Sequence, residues 1–391
     1  MRRIVWSITI IALTIISFVV IKSDFIGIKR PLDESRQIEK NKNYETNETK
    51  TDDKKHKETV LTPKENIEHK DIANKEAILC LGGDVMMDSY VAGYIKDNGV
   101  DYPWSSVSNF LKEADISLVN LETSVSTRGS TKKPAGYGFR SNPKTLEGLK
   151  NAGIDLVSIA NNHVLDFGKE AFYDTLKYLD EYKIGYVGGG ENRTKAEEVA
   201  IIEKNGIKFG FISYTSIIPN NAWIASDNSP GIAVFKGDKD GYAHLVKNVK
   251  AAKNKCDILI VILHWGVEYD KAPKKWQTDM AHALVDSGAD VIYGHHPHVL
   301  QGIEIYKGKP ILYSTGNFVF LKNDDECGKT GVFQITFDKD GFKKGKFIPV
   351  SINYCKANIL KNDDDKGKDI INMLINLSGK FGTKIGLDGE F

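Results

Sequence analysis

The 391-residue chain has little cysteine and no excess of charge of either sign. Its four cysteines include no pair with the short spacing of a thiolate zinc site, which excludes a structural zinc finger. Lys and Arg number 53 against 52 Asp and Glu, so the net charge of +1 gives no indication of a nucleic-acid partner. No G-x-S-x-G motif occurs and no cysteine neighbours a histidine motif, which argues against a serine or cysteine nucleophile.

Long apolar runs are also scarce, and the one that occurs lies near the first residue. Residues 4–21 are uncharged and mostly apolar, and at about 1.5 Å per residue they can span most of a ~30 Å hydrocarbon core. No small-x-small cleavage site follows, so we predict an uncleaved signal anchor, with a cleaved signal peptide as the alternative. We expect residues 1–30 to form a cytoplasmic stub and a single-pass transmembrane helix at the cell membrane, with the rest of the chain extracellular.

The next segment, residues 31–76, has the composition of a polar tether. It holds 22 charged residues among 46, and Tyr44 is its one aromatic residue. Such a segment cannot bury enough apolar surface to fold, so we predict that it is disordered. Its charges are of mixed sign, which excludes a polybasic lipid-binding patch.

From residue 78 onward, short apolar runs alternate with amphipathic stretches, which is typical of an α/β domain. We predict strands over 78–82, 116–120, 156–160, 200–202, 209–214, 258–263, 291–293 and 311–313, and helices over 143–152, 169–182, 239–253, 274–286 and 367–378. Asn205 and Gly206, between two apolar runs, indicate a hairpin. We therefore expect a domain over 77–325, completed by C-terminal strands and a helix over 326–391.

Side chains that can ligate a metal follow the predicted strands, at the sheet edge where ligands bind in α/β proteins. They are Asp84; Asn120 and Glu122; Asn161, Asn162 and His163; His264 and Glu268; and His295, His296 and His298. Some have simpler interpretations: Asn161 or Asn162 can cap a helix, and His264 can be a core histidine. Gln301 and Asn317 follow later and are further candidates for the same pocket.

The set as a whole is more informative than its members. Five of the nine histidines fall at three predicted strand ends, and an H-x-H pair on extended backbone can direct two rings at one centre. A mixture of carboxylate, amide and imidazole ligands favours zinc, manganese or iron over calcium. The sequence therefore predicts a hydrolytic centre with a divalent metal ion.

Six motifs, taken in order, resemble the CapA family of bacterial capsule-biosynthesis proteins, which are associated with poly-γ-glutamate capsules. They are GGDVMM, NLET, ANNH, HWGVE, GHHPHVLQ and STGNF, between about residues 78 and 320. The family's domain is similar to the calcineurin-like metallophosphoesterases. The resemblance therefore implies a four-layer sandwich, with two central mixed β-sheets flanked by helices, in addition to the predicted transmembrane helix.

The resemblance also implies roles for individual residues. The implied metal ligands are Asp84, Glu122, Asn162, His264, His296 and His298, with His163 as the general acid. The implied supporting or substrate-binding residues are Asn120, Asn161, Glu268, His295, Gln301 and Asn317. Met86 stands where the phosphoesterase pattern has a histidine, and Glu122 replaces an aspartate, so the implied number of ions is one or two.

The implied function is a membrane-anchored, extracellular role in poly-γ-glutamate capsule biosynthesis, through metal-dependent hydrolysis or transfer by a metal-activated water. The implied partners are the membrane, multispanning capsule synthase subunits and an anionic polymer. Two alternatives remain open at this point. One is a non-catalytic binding or export component of a synthase complex, and the other is an extracellular phosphoesterase.

Overall fold

The computed structural model describes residues 75–134, 136–321 and 325–391. The predicted anchor over 1–30 lies outside the described residues, as does the predicted tether except for Lys75 and Glu76. Eight α-helices are described: α1 (Ser89–Asn98), α2 (Ser108–Glu113), α3 (Thr145–Asn151), α4 (Gly168–Glu181), α5 (Arg193–Ala196), α6 (Lys239–Lys253), α7 (Lys275–Asp286) and α8 (Asp365–Gly379). Two short 3₁₀ helices span Tyr102–Trp104 and Asn221–Trp223.

The described residues also form eighteen strands. The first nine are β1 (Ala77–Val85), β2 (Ile116–Leu121), β3 (Ser124–Val125), β4 (Arg140–Ser141), β5 (Leu156–Ser158), β6 (Gly185–Val187), β7 (Gly189–Gly190), β8 (Ala200–Lys204) and β9 (Ile207–Thr215). The others are β10 (Gly231–Ile232), β11 (Ile258–His264), β12 (Val291–His295), β13 (Ile303–Tyr306), β14 (Lys309–Leu312), β15 (Asn317–Val319), β16 (Lys329–Asp338), β17 (Gly341–Asn353) and β18 (Lys356–Ile359). The five predicted helices and the eight predicted strands are each confirmed to within a few residues.

Two large mixed sheets organise the fold. The first has the order β18-β17-β16-β1-β2-β5-β6, with β15 also paired to β1. In this sheet β1, β2, β5 and β6 run parallel, whereas β16, β17 and β18 are antiparallel. The second has the order β13-β14-β12-β11-β9-β8, with a parallel centre and antiparallel edges. Two small two-stranded sheets pair β10 with β7 and β3 with β4.

The alternation of side chains along the central strands divides the core. On β11, Ile258, Ile260 and Ile262 join one apolar cluster, while Leu259 and Val261 point the other way into a second. The first cluster contains side chains of both large sheets, so the sheets pack against each other. The outer cluster of the second sheet includes α6 and α7, and that of the first sheet includes α1 to α4.

The predicted fold class, which joined a sandwich of four layers to a membrane-spanning helix, is contradicted by the described residues. Among them, no helix combines the length and the apolar composition that crossing a membrane requires. The longest, α6 and α8, have 15 residues each. That corresponds to about 22 Å, which is short of a ~30 Å hydrocarbon core. What the structure supports is a mixed α/β fold.

Candidate metal centre

The candidate residues converge where parallel strands of both sheets end. Asp84 near the end of β1 is paired in register with Asn120 on β2. His264, the last residue of β11, is paired with His295, the last residue of β12. Because parallel strands deliver their carboxyl ends to one edge, the loops that follow also meet there. Apart from Glu268, the predicted strand-end residues therefore lie together at this edge.

Glu122 lies at the middle of this cluster. Its Oε1 atom is 3.6 Å from His264 Nε2 and 3.9 Å from the Nε2 atoms of both His163 and His298. The side chain is fully buried, and Oε1 has no hydrogen-bond partner among the described residues. A buried carboxylate oxygen without a partner is costly, and a cation between this oxygen and the imidazoles would satisfy it. The residues present therefore fit a metal ion.

Two groups of donors are close enough to hold an ion. In each group the ligand atoms lie within 4.8 Å of one another; the groups are Glu122, His296 and His298, and Asp84, Glu122 and His264. Glu122 belongs to both groups. Asn162 contributes a further oxygen, because its Oδ1 is 2.7 Å from His264 Nε2.

Two neighbouring asparagines make different contacts, which the residue pattern alone did not distinguish although the family resemblance implied different roles. Asn161 organises the backbone: its Oδ1 accepts from the N–H groups of His163 and Val164, at 3.1 and 3.0 Å. Its Nδ2 donates to Asn120 Oδ1 at 3.1 Å. This turn leaves the side chain of Asn162 directed at His264. Asn161 therefore supports the site, and Asn162 offers it a ligand atom.

Asp84 accepts hydrogen bonds at both carboxylate oxygens. Asn120 Nδ2 donates to Oδ1 at 2.9 Å, and His295 Nδ1 lies 2.9 Å from the same oxygen. The backbone N–H of His296 and the Nδ1 atom of His298 approach Oδ2, at 3.4 and 3.3 Å. Asp84 thus connects the first sheet to the histidine loop of the second.

The loop after β12 holds its histidines in an unusual backbone conformation. His296 and His298 have positive φ angles of 96° and 60°. Non-glycine residues adopt this region at an energetic cost, which the surrounding contacts must offset. One such contact joins His298 Nδ1 to Asn317 Oδ1 at 2.9 Å, leaving Nε2 free to face Glu122. The ring of His296 lies 4.8 Å from that of His264, centroid to centroid.

His163 lines an open cleft above the cluster, of about 480 Å³. Its Nδ1 is 2.7 Å from Asp166 Oδ2 and 3.2 Å from Lys133 Nζ, and its ring packs on Phe139 at 4.5 Å. Lys133 also pairs with Asp166 and donates to the carbonyl of Asn162 at 3.0 Å. Asp166 and Lys133 were not among the residues predicted from the sequence. The three-residue spacing from His163 to Asp166 was the available signal.

Two other candidates do not join the cluster. Glu268 is exposed and lies on the wall of the cleft. Gln301 is buried, but its Nε2 donates to the backbone carbonyl of Asp270 at 2.7 Å. Neither makes a hydrogen bond to the central Glu122 that the structure records. Asn317 and His295 do reach the cluster, through His298 and Asp84 respectively.

Burial and mutual charge shift the ionisation of the cluster. Burial, together with the charge of Asp84, raises the pKa of Glu122 well above its usual range. Burial would raise the pKa of Asp84 as well, but His295 and His298 hold it well below its usual range. Burial alone would lower the pKa of His298, yet Glu122 and Asp84 raise it to about 9. Burial lowers the pKa of His264. Without an ion, protons bound to these side chains supply the positive charge that an ion would otherwise provide.

Fold and site together define a mixed α/β protein whose strand ends carry a buried cluster of carboxylates, amides and imidazoles, a donor set suited to divalent metal ions. The chain belongs to the family of the bacterial capsule synthesis protein PGA_cap, whose sequence model matches residues 78–322.

Similar proteins agree with this assignment. The capsule biosynthesis protein CapA of Bacillus anthracis is 34% identical over 286 residues, covering 71% of this chain and 68% of that protein. The PGA biosynthesis protein CapA of Bacillus subtilis (strain 168) is 31% identical over 294 residues, covering 75% and 76%. The predicted family is therefore confirmed. Among solved structures, a hypothetical protein from Thermus thermophilus is 15% identical with a TM-score of 0.45, over 71% of this chain and all of that one.

Proposed function

We propose that this chain acts in the synthesis of a poly-γ-glutamate capsule and that its buried cluster binds a divalent metal ion for hydrolysis or group transfer. The observation that carries the proposal is the partnerless Oε1 of Glu122, surrounded by three imidazole nitrogens. The names of the two Bacillus relatives support the capsule pathway. The expected partners are multispanning synthase subunits and the anionic polymer itself.

The ligands would come from Glu122, Asn162, His264, His296 and His298, with Asp84 beside them. A divalent ion bound there supplies Lewis-acid polarisation and lowers the pKa of a water molecule. The protein's own part is to keep these donors buried around Glu122, which both groups of donors share. Each of the five is at most 7% exposed even though they lie below an open cleft, and Glu122 is fully buried.

His163 is the group placed to transfer a proton. Asp166 holds its Nδ1, so that Nε2 faces Glu122 across 3.9 Å at the bottom of the cleft. His163 lines this cleft together with Asn162 and His298, and it is the most exposed of the three. His163 would therefore protonate a leaving group or stabilise developing charge, a contribution of about 10²–10⁴-fold in rate.

The test uses full-length protein freed of metal by chelation. It is assayed against a phosphodiester and against poly-γ-glutamate, before and after addition of Mn²⁺ or Zn²⁺. We expect turnover of one substrate to return with the metal, to be lost in Glu122→Gln, and to fall by about 10²–10⁴-fold in His163→Asn. His244→Asn is the matched control, because His244 lies on α6 and pairs with Glu197 at 2.9 Å, outside the cluster. Absence of metal-restored turnover on both substrates would contradict the enzymatic proposal.

A non-catalytic role in binding or export is the second candidate, and Met86 favours it. Met86 places a thioether in the lining of the cleft, and thioethers are poor ligands for hard divalent ions. Capsule formation that survives a His296→Asn/His298→Asn double substitution at normal protein level would support this second role. Location at the outer face of the cell membrane stays a separate prediction, which protease treatment of intact cells would test.

A further inference from the structure

The two donor groups raise the question of how many ions the site holds. They share Glu122 but differ elsewhere: one uses His296 and His298, and the other uses Asp84 and His264. A second ion beside Asp84 would need open lone pairs on that carboxylate and further nitrogen or oxygen donors nearby. Both conditions can be examined in the structure. The answer rests on the proposed function, because it presupposes that the cluster binds metal.

The carboxylate of Asp84 is already fully engaged by protein donors. Each of its oxygens is approached by two of them: Asn120 and His295 at Oδ1, and His296 and His298 at Oδ2, at 2.9 to 3.4 Å. By contrast, Glu122 Oε1 has no such donor in the described part of the chain. An ion that bound Asp84 would have to displace these hydrogen bonds, whereas an ion at Glu122 Oε1 displaces none at that oxygen and only the 2.7 Å contact between His264 Nε2 and Asn162 Oδ1 nearby.

The second condition concerns Met86, whose thioether is not a suitable further ligand. This side chain lies two residues after Asp84, is 1% exposed and lines the cleft. Its Sδ atom accepts a hydrogen bond from the backbone N–H of Asp88 at 3.2 Å. Mn²⁺ and similar ions prefer oxygen and nitrogen over a thioether. Besides Glu122 and His264, a second ion would thus find one engaged carboxylate and, two residues further along the chain, one unsuitable sulfur.

What Asp84 does instead is fix the histidines. His298 Nδ1 lies between Asn317 Oδ1 and Asp84 Oδ2, at 2.9 and 3.3 Å, so the Nδ1 proton is held and Nε2 is directed towards Glu122. Metal-binding histidines usually have such a partner on the other ring nitrogen, and it sets the tautomer and the ring orientation. Asp84 shares the position of this partner with Asn317.

We propose that the centre binds a single divalent ion, with ligands from Glu122, Asn162, His264, His296 and His298, and that Asp84 is a positioning residue and not a ligand. Met86 supplies a thioether where a second ion beside Asp84 would need a further nitrogen or oxygen donor. Substitution of Met86 should therefore change the number of ions bound per chain.

The experiment counts Mn²⁺ ions on the metal-free, full-length protein by equilibrium dialysis with elemental analysis, and records electron paramagnetic resonance spectra of the loaded samples. We expect one ion per chain, with the hyperfine pattern of an isolated ion and no splitting from an exchange-coupled pair. Met86→His should raise the count to two and produce that splitting. Met86→Leu, which keeps the apolar volume, is the matched control and should stay at one.

Two further variants separate a ligand from a positioning residue. Asp84→Asn should still bind one ion, with affinity reduced about 10- to 100-fold, whereas Glu122→Gln should lose the ion. Two coupled ions in the wild type, or loss of the ion in Asp84→Asn as complete as in Glu122→Gln, would overturn the inference and leave the proposed function standing. A single ion in Met86→His, folded as judged by circular dichroism, would overturn the role given to Met86. No bound ion in the wild type would contradict the proposed function itself.

Discussion

At the scale of single residues, the cluster depends on amide side chains that can donate and accept at once. Asn120 donates from Nδ2 to Asp84 at 2.9 Å and to Glu122 Oε2 at 3.3 Å, and its Oδ1 accepts from Asn161. It thereby links two buried carboxylates that would otherwise repel each other at close range. An aspartate at this position would add a third negative charge, and a leucine would leave both carboxylates without their shared donor.

A second residue-scale interaction lies outside the site and gives a pH-dependent prediction. Buried Asp174 on α4 accepts from Arg128 Nε at 3.0 Å and from Ser126 Oγ at 2.6 Å. The bond from Arg128 holds the pKa of Asp174 below its usual range in the folded protein. The stabilisation is therefore complete above the unfolded-state pKa, about 3.9, and is lost as the pH falls through the lower folded-state value.

We accordingly expect Asp174→Asn to lower the free energy of unfolding by about 1 kcal/mol at pH 7. The difference from wild type should shrink as the pH falls below about 4. Urea denaturation from pH 7 down to the lowest pH at which the wild type stays folded measures both effects. Asp180→Asn, at an exposed position of the same helix, serves as the control and should change stability by less than about 0.5 kcal/mol. A difference that persists unchanged in acid would contradict the assignment.

Much of the candidate site could be predicted because its residues interrupt a strong pattern. His264 ends a strand of seven buried residues, and Asp84 lies near the end of another buried strand, so each polar group is conspicuous. Asp166 and Lys133 could not be found this way. They lie in loops where polar side chains are usual, and the contacts with His163 that distinguish them depend on the tertiary fold. Gln301 was predicted because it is close to the histidines along the chain. In the folded protein it lies outside the cluster and donates to the carbonyl of Asp270 instead.

At the scale of elements, two glycines differ in whether their surroundings would accept a Cβ atom. A Cβ atom on Gly83 in β1 would lie 2.1 Å from the carbonyl oxygen of Gly316, next to the pairing of Asp84 with Asn317 on β15. A Cβ atom on Gly93, at an exposed position of α1, would meet nothing within 4 Å in the described part of the molecule. The first glycine is required by the close approach of two strands, whereas the second only adds backbone freedom to a helix.

Gly93→Ala should therefore raise the free energy of unfolding by about 0.5–1 kcal/mol. Gly83→Ala should lower it by about 1–3 kcal/mol, as overpacking does, and should weaken Mn²⁺ binding because it shifts Asp84. Chemical denaturation of the two variants and the wild type, with and without Mn²⁺, measures these changes, and each variant is the control for the other. Equal destabilisation by both substitutions would show that the contrast between strand contact and helix propensity does not hold here.

The elements predicted most accurately from the sequence were those with a clear periodicity of apolar residues or a clear turn motif. The helix predicted over 239–253 was found at Lys239–Lys253, and the hairpin at Asn205 and Gly206 has both residues at positive φ, 52° and 78°, as its tight turn requires. Helix α1 was missed. It buries only Val91 and Ile95 and has a glycine in its middle, so its apolar period is weak and its helical state depends on packing against the first sheet.

At the scale of the whole molecule, the site belongs to neither sheet alone. Glu122 and Asn162 follow strands β2 and β5 of the first sheet, while His264, His296 and His298 come from the ends of β11 and β12 in the second. The apolar layer between the sheets sets their separation, and so also the distances between the candidate ligands at its edge. Each of these donors lies at most four residues beyond the end of its strand, so the core between the sheets determines where the site forms.

Because the proposed ligands come from both sheets, an ion should stabilise elements of both. An ion that binds the folded state and not an opened one stabilises every element that must open to release it, by about 2.7 kcal/mol at a hundredfold excess over Kd. We expect saturating Mn²⁺ to slow amide hydrogen exchange at the ends of β2 and β11 together, by up to about 100-fold. The hairpin at Asn205 and Gly206 carries none of the proposed ligands and serves as the internal control. Mass-spectrometric exchange on the full-length protein and on Glu122→Gln, which should show no slowing, tests this, and protection confined to one sheet would contradict a site shared between the two.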